Sequence, residues 1–186
     1  MVHSQKNNSY NFVYCLAGKG SRFTNVGINL PKYLLKLGND KSIIENSIMS
    51  FNFPEKVKLV LIINNDHIEY KNELEMILSK YSENYNVISV NDTNGQAETA
   101  NIAIDSVELL DNWVFFFNGD TLLKNRNLNS LISKDLLDNT IEGYIDVFRE
   151  SSINYSFVET DSQNIVIDIK EKIVISNKAT SGLYGF

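Results

Sequence analysis

The chain predicts an α/β fold of three layers, with helices on both faces of a mostly parallel central sheet. Three observations carry this. Short apolar runs alternate with segments of helical periodicity through the first 117 residues. The apolar runs are nearly continuous, as in strands buried on both faces. Each of them ends in a polar or glycine-containing turn, which is how a strand of such a sheet hands over to its crossover.

Taken in order, residues 11–16 form a buried strand that stops at a loop holding Gly18, Lys19, Gly20, Ser21 and Arg22. Residues 42–51 place Ile43, Ile44, Ile48 and Phe51 on one helical face, with Ser42 as N-cap and Glu45 as its capping-box partner. Residues 57–63 (VKLVLII) are the second strand, and residues 69–81 a helix with Leu74, Ile77, Leu78 and Tyr81 aligned. Residues 86–90 are the third strand, ending in the turn Asn91, Asp92, Thr93, Asn94, Gly95. Ala97, Ala100, Ile104 and Val107 repeat with helical period across residues 96–110. Residues 113–117 form an intensely apolar strand ending at Asn118, Gly119 and Asp120. A helix is expected over residues 128–137, then short strands at 144–148, 155–159, 165–169 and 179–186.

Composition bounds what such a chain can do. With 186 residues, 43% of them hydrophobic, one well-filled core and a single domain are expected, without repeats or low-complexity tracts. No apolar run approaches the roughly 20 residues of a spanning helix, and the polar N-terminus has no signal-peptide apolar region, so a cytoplasmic location is expected. The single Cys15 lies inside the first strand, where a small buried side chain is expected and a catalytic thiol is not. His3 and His67 read as surface residues, and no Cys/His/Asp cluster has zinc-like spacing.

Net charge is −6, against a nucleic-acid or anionic-membrane surface. All 23 acidic residues nevertheless follow residue 39, whereas Lys6, Lys19, Arg22, Lys32 and Lys36 precede it. Positive charge therefore gathers around a glycine loop, where backbone N–H groups can approach an anion closely. The loop has neither the dinucleotide glycine pattern nor the Walker spacing, so alone it is a weak phosphate signal. Parallel topology strengthens it: ligands of such sheets bind outside the carboxyl ends of the strands, so the turns at Gly18, at Asn91 to Gly95 and at Asn118 to Asp120 should gather at one edge.

Six motifs in order resemble the sugar-phosphate nucleotidyltransferase (NTP-transferase) family: CLAGKGSRF, PKYLL, Gly95-Gln96-Ala97, FFFNGD, the stretch YSFVETDSQNIVIDIKEK and finally Gly182-Leu183-Tyr184. The resemblance implies a Rossmann-like fold of the nucleotide-diphospho-sugar transferase type. It implies transfer of a nucleoside monophosphate from a triphosphate to a phosphorylated acceptor, a sugar 1-phosphate or related precursor, with release of pyrophosphate. Such a reaction needs little covalent work from the protein, so positioning and charge neutralisation should dominate.

By the same resemblance, Arg22 would hold the leaving phosphates and Lys32 the α-phosphate or the acceptor's phosphate. Ala17, Gly18, Gly20 and Gly95 would let the nucleotide lie against backbone, with Asn91 or Thr93 at the base edge. Asp120 would bind Mg²⁺. Asn118, Glu171, Lys172 and Tyr184 would line the acceptor pocket, while Gln96 and Glu98 carry no assigned chemistry.

Tyr33, Ser156 and Ile173 depart from the family pattern on the acceptor side, leaving acceptor identity open. The loop and the Gly27-containing spacer before Pro31-Lys32 look like a subgroup found in capsule-polysaccharide clusters. Family members continue beyond the final strand with a second metal-binding aspartate, so the chain reads as a domain lacking the usual C-terminal part of the family core: a piece of a longer parent protein, a shortened form with impaired catalysis, or one whose site a partner chain completes, as in a homo-oligomer. Two other classes remain: a non-catalytic module that binds nucleotide or sugar phosphate, and a glycosyltransferase. The last would carry an Asp-x-Asp metal motif, whereas Asn118-Gly119-Asp120 offers one carboxylate.

Overall fold

The computed structural model describes residues 10–18, 23, 27–53, 56–106, 109, 113–124 and 141–186. Eight strands form one mixed sheet among these residues: β1 (Asn11–Leu16), β2 (Lys58–Asn64), β3 (Asn84–Val90), β4 (Val114–Phe117), β5 (Tyr144–Arg149), β6 (Ser156–Thr160), β7 (Val166–Glu171) and β8 (Lys178–Gly185). Their order is β3-β2-β1-β4-β8-β6-β7, with β5 also paired to β8. β1, β2, β3 and β4 run parallel, and β8 runs antiparallel to β4, β5 and β6. The helix expected over 128–137 lies outside the described residues.

Helices cover both faces, as the continuous apolar strands require. α1 (Ile43–Ser50) and α2 (Lys71–Leu78) bury Ile44, Ile48, Leu74, Ile77 and Leu78 on one face, and α3 (Gln96–Ser106) buries Ala103 on the other. Alternation along β1 serves both: Phe12, Tyr14 and Leu16 join the first core, Val13 and Ala17 the second. The first core is aromatic. Phe12 lies 4.7 Å from Phe51, 4.8 Å from Phe53 and 5.0 Å from Tyr14 between ring centres, in tilted and edge-on contacts that suit the ring quadrupoles.

Three local expectations are corrected. The helix expected over 69–81 begins as a 3-10 turn, Asn65–Tyr70, because the Asn64 carboxamide accepts the Asp66 N–H at 2.9 Å and tightens the exit from β2. The capping box is only half formed. Ser42 Oγ accepts the Glu45 N–H at 3.2 Å, but the Glu45 carboxylate turns away to Lys41 (3.2 Å), Lys80 (3.2 Å) and the Tyr81 hydroxyl (3.1 Å). Charged and phenolic donors satisfy a largely buried carboxylate better than one backbone N–H does. His67, expected at the surface, is half-buried and bonds to the Tyr33 hydroxyl at 3.1 Å.

Phe12→Ala should lower stability by about 3–5 kcal/mol, read by denaturant unfolding, because it empties a fully enclosed site between two layers. Glu45 generates a pH-dependent term. Burial pushes its carboxyl up, but the bonds from Lys41, Lys80 and Tyr81 outweigh burial and hold it below the ordinary glutamate value. Its folded pKa is therefore the lower one, so its contribution is present above about pH 4.3 and lost as pH falls through the folded value. The stability advantage of the wild type over Glu45→Gln at pH 7 should shrink through that acid range in unfolding titrations.

Candidate active site

Because β1 to β4 are parallel, their carboxyl ends emerge at one edge. The chain steps outward from β1 to β2 and β3 and then returns to β4 on the other side of β1, so the sheet has its topological switch between β1 and β4. A cavity of about 320 Å³ sits there, lined by Gly18, Lys32, Thr93, Gly95, Asn118 and Asp120 among others. The three turns expected to converge do so. A Cβ at Gly18 or Gly95 would meet nothing within 4 Å, so both backbones face open space.

Gly119 shows why β4 ends as it does. Its φ is +71°, and a Cβ there would stand 2.6 Å from Leu16 Cδ2 and 3.1 Å from Tyr14 Cδ1. The turn therefore presses against the end of β1, a packing open to glycine alone. Asp120 follows, and its Oδ2 lies 2.6 Å from Lys32 Nζ. Lys32 leaves a 3-10 turn, Lys32–Leu34, whose Tyr33 and Leu34 are buried anchors. With side chains 37% and 39% exposed, the pair is solvent-screened and contributes at most about 1 kcal/mol to stability. Lys32 Nζ also stands 5.9 Å from the Phe23 ring centre.

The floor beside Gly18 is organised by Asn64, which sequence reasoning missed. Buried at the end of β2, it donates to the Ala17 carbonyl (3.3 Å) and to Asp92 Oδ1 (3.0 Å), tying the exits of β1, β2 and β3 together. A polar residue closing the run KLVLIIN was the available signal. Asn91 is exposed and its side-chain oxygen is held by Asn65 at 2.7 Å, outside the cavity lining. Thr93 bonds to Thr99 at 2.7 Å, and the Thr99 hydroxyl reaches the Gly95 carbonyl at 3.1 Å, fixing the turn before α3. Ala17 is buried under the cavity. Cys15 lines it, and burial pushes its thiol up to about 12, so it stays protonated at neutral pH. Gly20 and Arg22 lie outside the described residues, as do Lys19 and Ser21.

A second cavity of about 500 Å³ opens on the other side of Asn118, bounded by Gln96, Tyr155, Ser181, Gly182 and Tyr184 among others. Gly182 has φ +89°, and a Cβ on it would come within 2.8 Å of Asn118 Nδ2, so the Asn118 carboxamide rests on bare backbone. The Tyr184 hydroxyl donates to Thr180 at 3.2 Å. Glu171 and Lys172 are not among the lining residues. Their side chains, 76% and 67% exposed, pair with each other at 3.3 Å, and the Lys172 N–H bonds the Tyr155 carbonyl beside the cavity. Gln96 and Ser181 line this cavity although the sequence assigned them no role, Gln96 standing in the motif Gly95-Gln96-Ala97 and Ser181 directly before Gly182-Leu183-Tyr184.

As for a metal, the described residues contain no group of three or more His, Cys, Asp or Glu side chains. Asp120 is the carboxylate at the cavity, already facing a cation in Lys32.

Comparison with known proteins identifies the family. The nucleotidyl transferase family model matches residues 15–186, and the chain belongs to that family. Among solved structures, a nucleoside-diphosphate-sugar pyrophosphorylase from Vibrio cholerae RC9 superposes with a TM-score of 0.74 at 26% identity, over 94% of this chain and 72% of that one. The fold is shared by an inositol-1-phosphate CTP transferase from T. maritima (TM-score 0.72, 18% identity, 96% of this chain and 70% of that one). It is shared too by a putative glucose-1-phosphate thymidylyltransferase from Bacillus anthracis in complex with a sucrose (TM-score 0.78, 14% identity, 96% and 71%). No curated protein matches the chain.

Gly119→Ala should destabilise the protein by about 1–3 kcal/mol, because it adds both a strained φ and a clash with the end of β1. Denaturant unfolding of Gly119→Ala beside Gly38→Ala, where a Cβ has open space, checks this.

Proposed function

We propose that this nucleotidyltransferase moves a nucleoside monophosphate from a nucleoside triphosphate to a phosphorylated acceptor, a sugar 1-phosphate or related surface-polysaccharide precursor, releasing pyrophosphate. The observation that carries the reading is the meeting of Gly18, Gly95, Lys32 and Asp120 at one cavity that continues past Asn118 into a second. Two adjoining cavities suit two substrates, with the reacting phosphates between them.

In this reading the triphosphate lies along Gly18 and Gly20, where missing side chains let N–H groups approach its oxygens. The base lies against Gly95 with Thr93 beside it. Lys32 swings from Asp120 onto the α-phosphate or the incoming acceptor phosphate, exchanging one anion for another, and Arg22 neutralises the leaving pyrophosphate. Asn118 stands between the two substrates, and Tyr184 borders the acceptor, with Glu171 and Lys172 at its rim. The acceptor's phosphate oxygen then attacks the α-phosphorus in line with the departing pyrophosphate.

Asp120 fits a bound Mg²⁺: it is half-exposed at the cavity, already balanced by a cation, and Mg²⁺ binds through one or two carboxylates, substrate phosphates and water. Mg²⁺ held there would offset the negative charge that builds on the phosphates.

A pyrophosphate-release assay with Mg²⁺, crossing CTP, UTP, dTTP, GTP and ATP against phosphorylated acceptors, should find one productive pair. Arg22→Ala, Lys32→Ala and Asp120→Ala should each lower kcat by about 10²–10³-fold. Loss of the Lys32–Asp120 contact should change unfolding free energy by less than about 1 kcal/mol. Nucleotide binding without turnover on any acceptor would replace the proposal with a binding module.

A further inference from the structure

Lys32, the cation proposed to meet the phosphates, stands on a turn that holds itself weakly. The 3-10 turn Lys32–Leu34 has no side-chain N-cap and is closed by backbone bonds from the Leu34 N–H to the Pro31 carbonyl (2.9 Å) and from the Leu35 N–H to the Lys32 carbonyl (3.1 Å). Turns of this kind have poor hydrogen-bond geometry and little stability of their own. What fixes the place of Lys32 is therefore the anchoring of its neighbours. Leu34 is buried in the first core by apolar contact, which is not directional. Tyr33 adds a directional bond. It is 6% exposed, joins the same core and carries its hydroxyl to His67 Nδ1 at 3.1 Å, with the two rings edge to face at 5.7 Å and 74°.

The chemistry of the pair keeps this bond in place near neutral pH. Burial, seconded by Tyr70, raises the Tyr33 hydroxyl above the ordinary tyrosine value, so it keeps its proton. Burial lowers the His67 imidazole below its ordinary value against the opposing charges of Asp66 and Glu69, so the ring is neutral at pH 7. With its hydrogen on Nε2 the ring accepts the Tyr33 proton at Nδ1, and with its hydrogen on Nδ1 it donates to the phenolic oxygen. Either tautomer makes the bond.

His67 is itself anchored. It belongs to the turn Asn65–Tyr70, whose cap Asn64 accepts the Asp66 N–H (2.9 Å) and donates to the Ala17 carbonyl (3.3 Å) and Asp92 Oδ1 (3.0 Å). The exits of β1, β2 and β3 thus form the base from which His67 holds Tyr33. Tyr33 lines the smaller cavity beside Lys32 and His67 does not, so the route from His67 to the chemistry runs through Tyr33.

Resting on the transfer reaction proposed above, we infer that Tyr33 and His67 are positioning residues, their bond holding the Lys32 turn where the ammonium can pass from Asp120 to the phosphates. Small displacements of a group that must meet the transition state cost rate rather than ground-state binding.

Pyrophosphate release tests this on the full chain with Mg²⁺, crossing CTP, UTP, dTTP, GTP and ATP against glucose 1-phosphate, inositol 1-phosphate, glycerol 3-phosphate and phosphocholine. On the fastest pair, Tyr33→Phe and His67→Leu should each lower kcat about five- to ten-fold, the worth of one hydrogen bond, with the nucleotide KM within about two-fold of the wild type. The double variant should be no slower than either single one, because both remove the same bond. His67→Asn, which returns an amide group near the place of Nδ1, should recover most of the rate. In a Lys32→Ala background, Tyr33→Phe should change kcat by less than about two-fold, since the residue it positions is gone. A purely structural role would move the thermal unfolding midpoint and leave kcat per folded molecule unchanged.

Unchanged kcat in Tyr33→Phe or His67→Leu, falls that multiply in the double variant, no recovery in His67→Asn, or an undiminished effect of Tyr33→Phe without Lys32 would overturn the inference. The Lys32→Ala control separates the two readings. No release with any pair, or a Lys32→Ala rate equal to the wild type, defeats the transfer reading and the inference with it, whereas release that needs Lys32 but is indifferent to Tyr33→Phe defeats the inference alone.

Discussion

Parallel pairing of β1 with β2 on one side and β4 on the other is the constraint on which the remaining structure depends. Residues 11–16 pair in register with β2 and residues 11–14 also with β4, so most of the strand's backbone is spent within the sheet while its side chains alternate into two cores. Parallel strands need long crossovers, and those crossovers become the helices that bury the faces. The same pairing sends the loops after β1 and β4 out side by side. Gly18 and the Asp120 turn are thus neighbours because of sheet order, although a hundred residues of sequence separate them.

Close backbone packing then converts adjacency into a site. Gly119 lets the β4 turn settle on Leu16 and Tyr14, and Gly182 lets β8 pass directly under Asn118. Each glycine removes a side chain where two elements must approach, which sets the spacing of Asp120 and Asn118 around the cavities. Asn64 does comparable work with hydrogen bonds, linking the ends of three strands through one buried carboxamide. The chemical groups at the surface, Lys32 and Asp120, are by contrast held loosely enough to exchange partners. A screened, half-exposed ion pair is stable enough to orient both side chains and weak enough to yield to a phosphate.

Much of this was legible beforehand. Residues 11–16 coincide with β1, and the other predicted strands differ from the observed ones by one or two residues at their ends. Continuous apolar runs are insensitive to tertiary detail, since burial on both faces leaves no alternative pattern. Helix ends were less legible. The diverted Glu45 carboxylate depends on Lys80 and Tyr81, partners distant in sequence, whereas the 3-10 entry to α2 turns on Asn64, a local cap that hydrophobic periodicity does not register. Site residues divide likewise. Gly18, Thr93, Gly95, Asn118, Asp120 and Tyr184 border the two cavities, while Glu171 and Lys172, adjacent to them in motif order, pair with one another in solvent.

The sequence by itself determined the layered α/β architecture, the family and the glycine and charged residues at the strand ends, because periodicity, turn chemistry and motif order are local properties. Tertiary structure decided which polar residues share a cavity. Gln96 and Ser181 carry no assigned role in the chain and Asn118 only one implied by resemblance, and the three come together when the start of α3, the end of β4 and β8 close around one volume. Proximity across three elements is a property of the folded whole, so it could not be read from residue types alone.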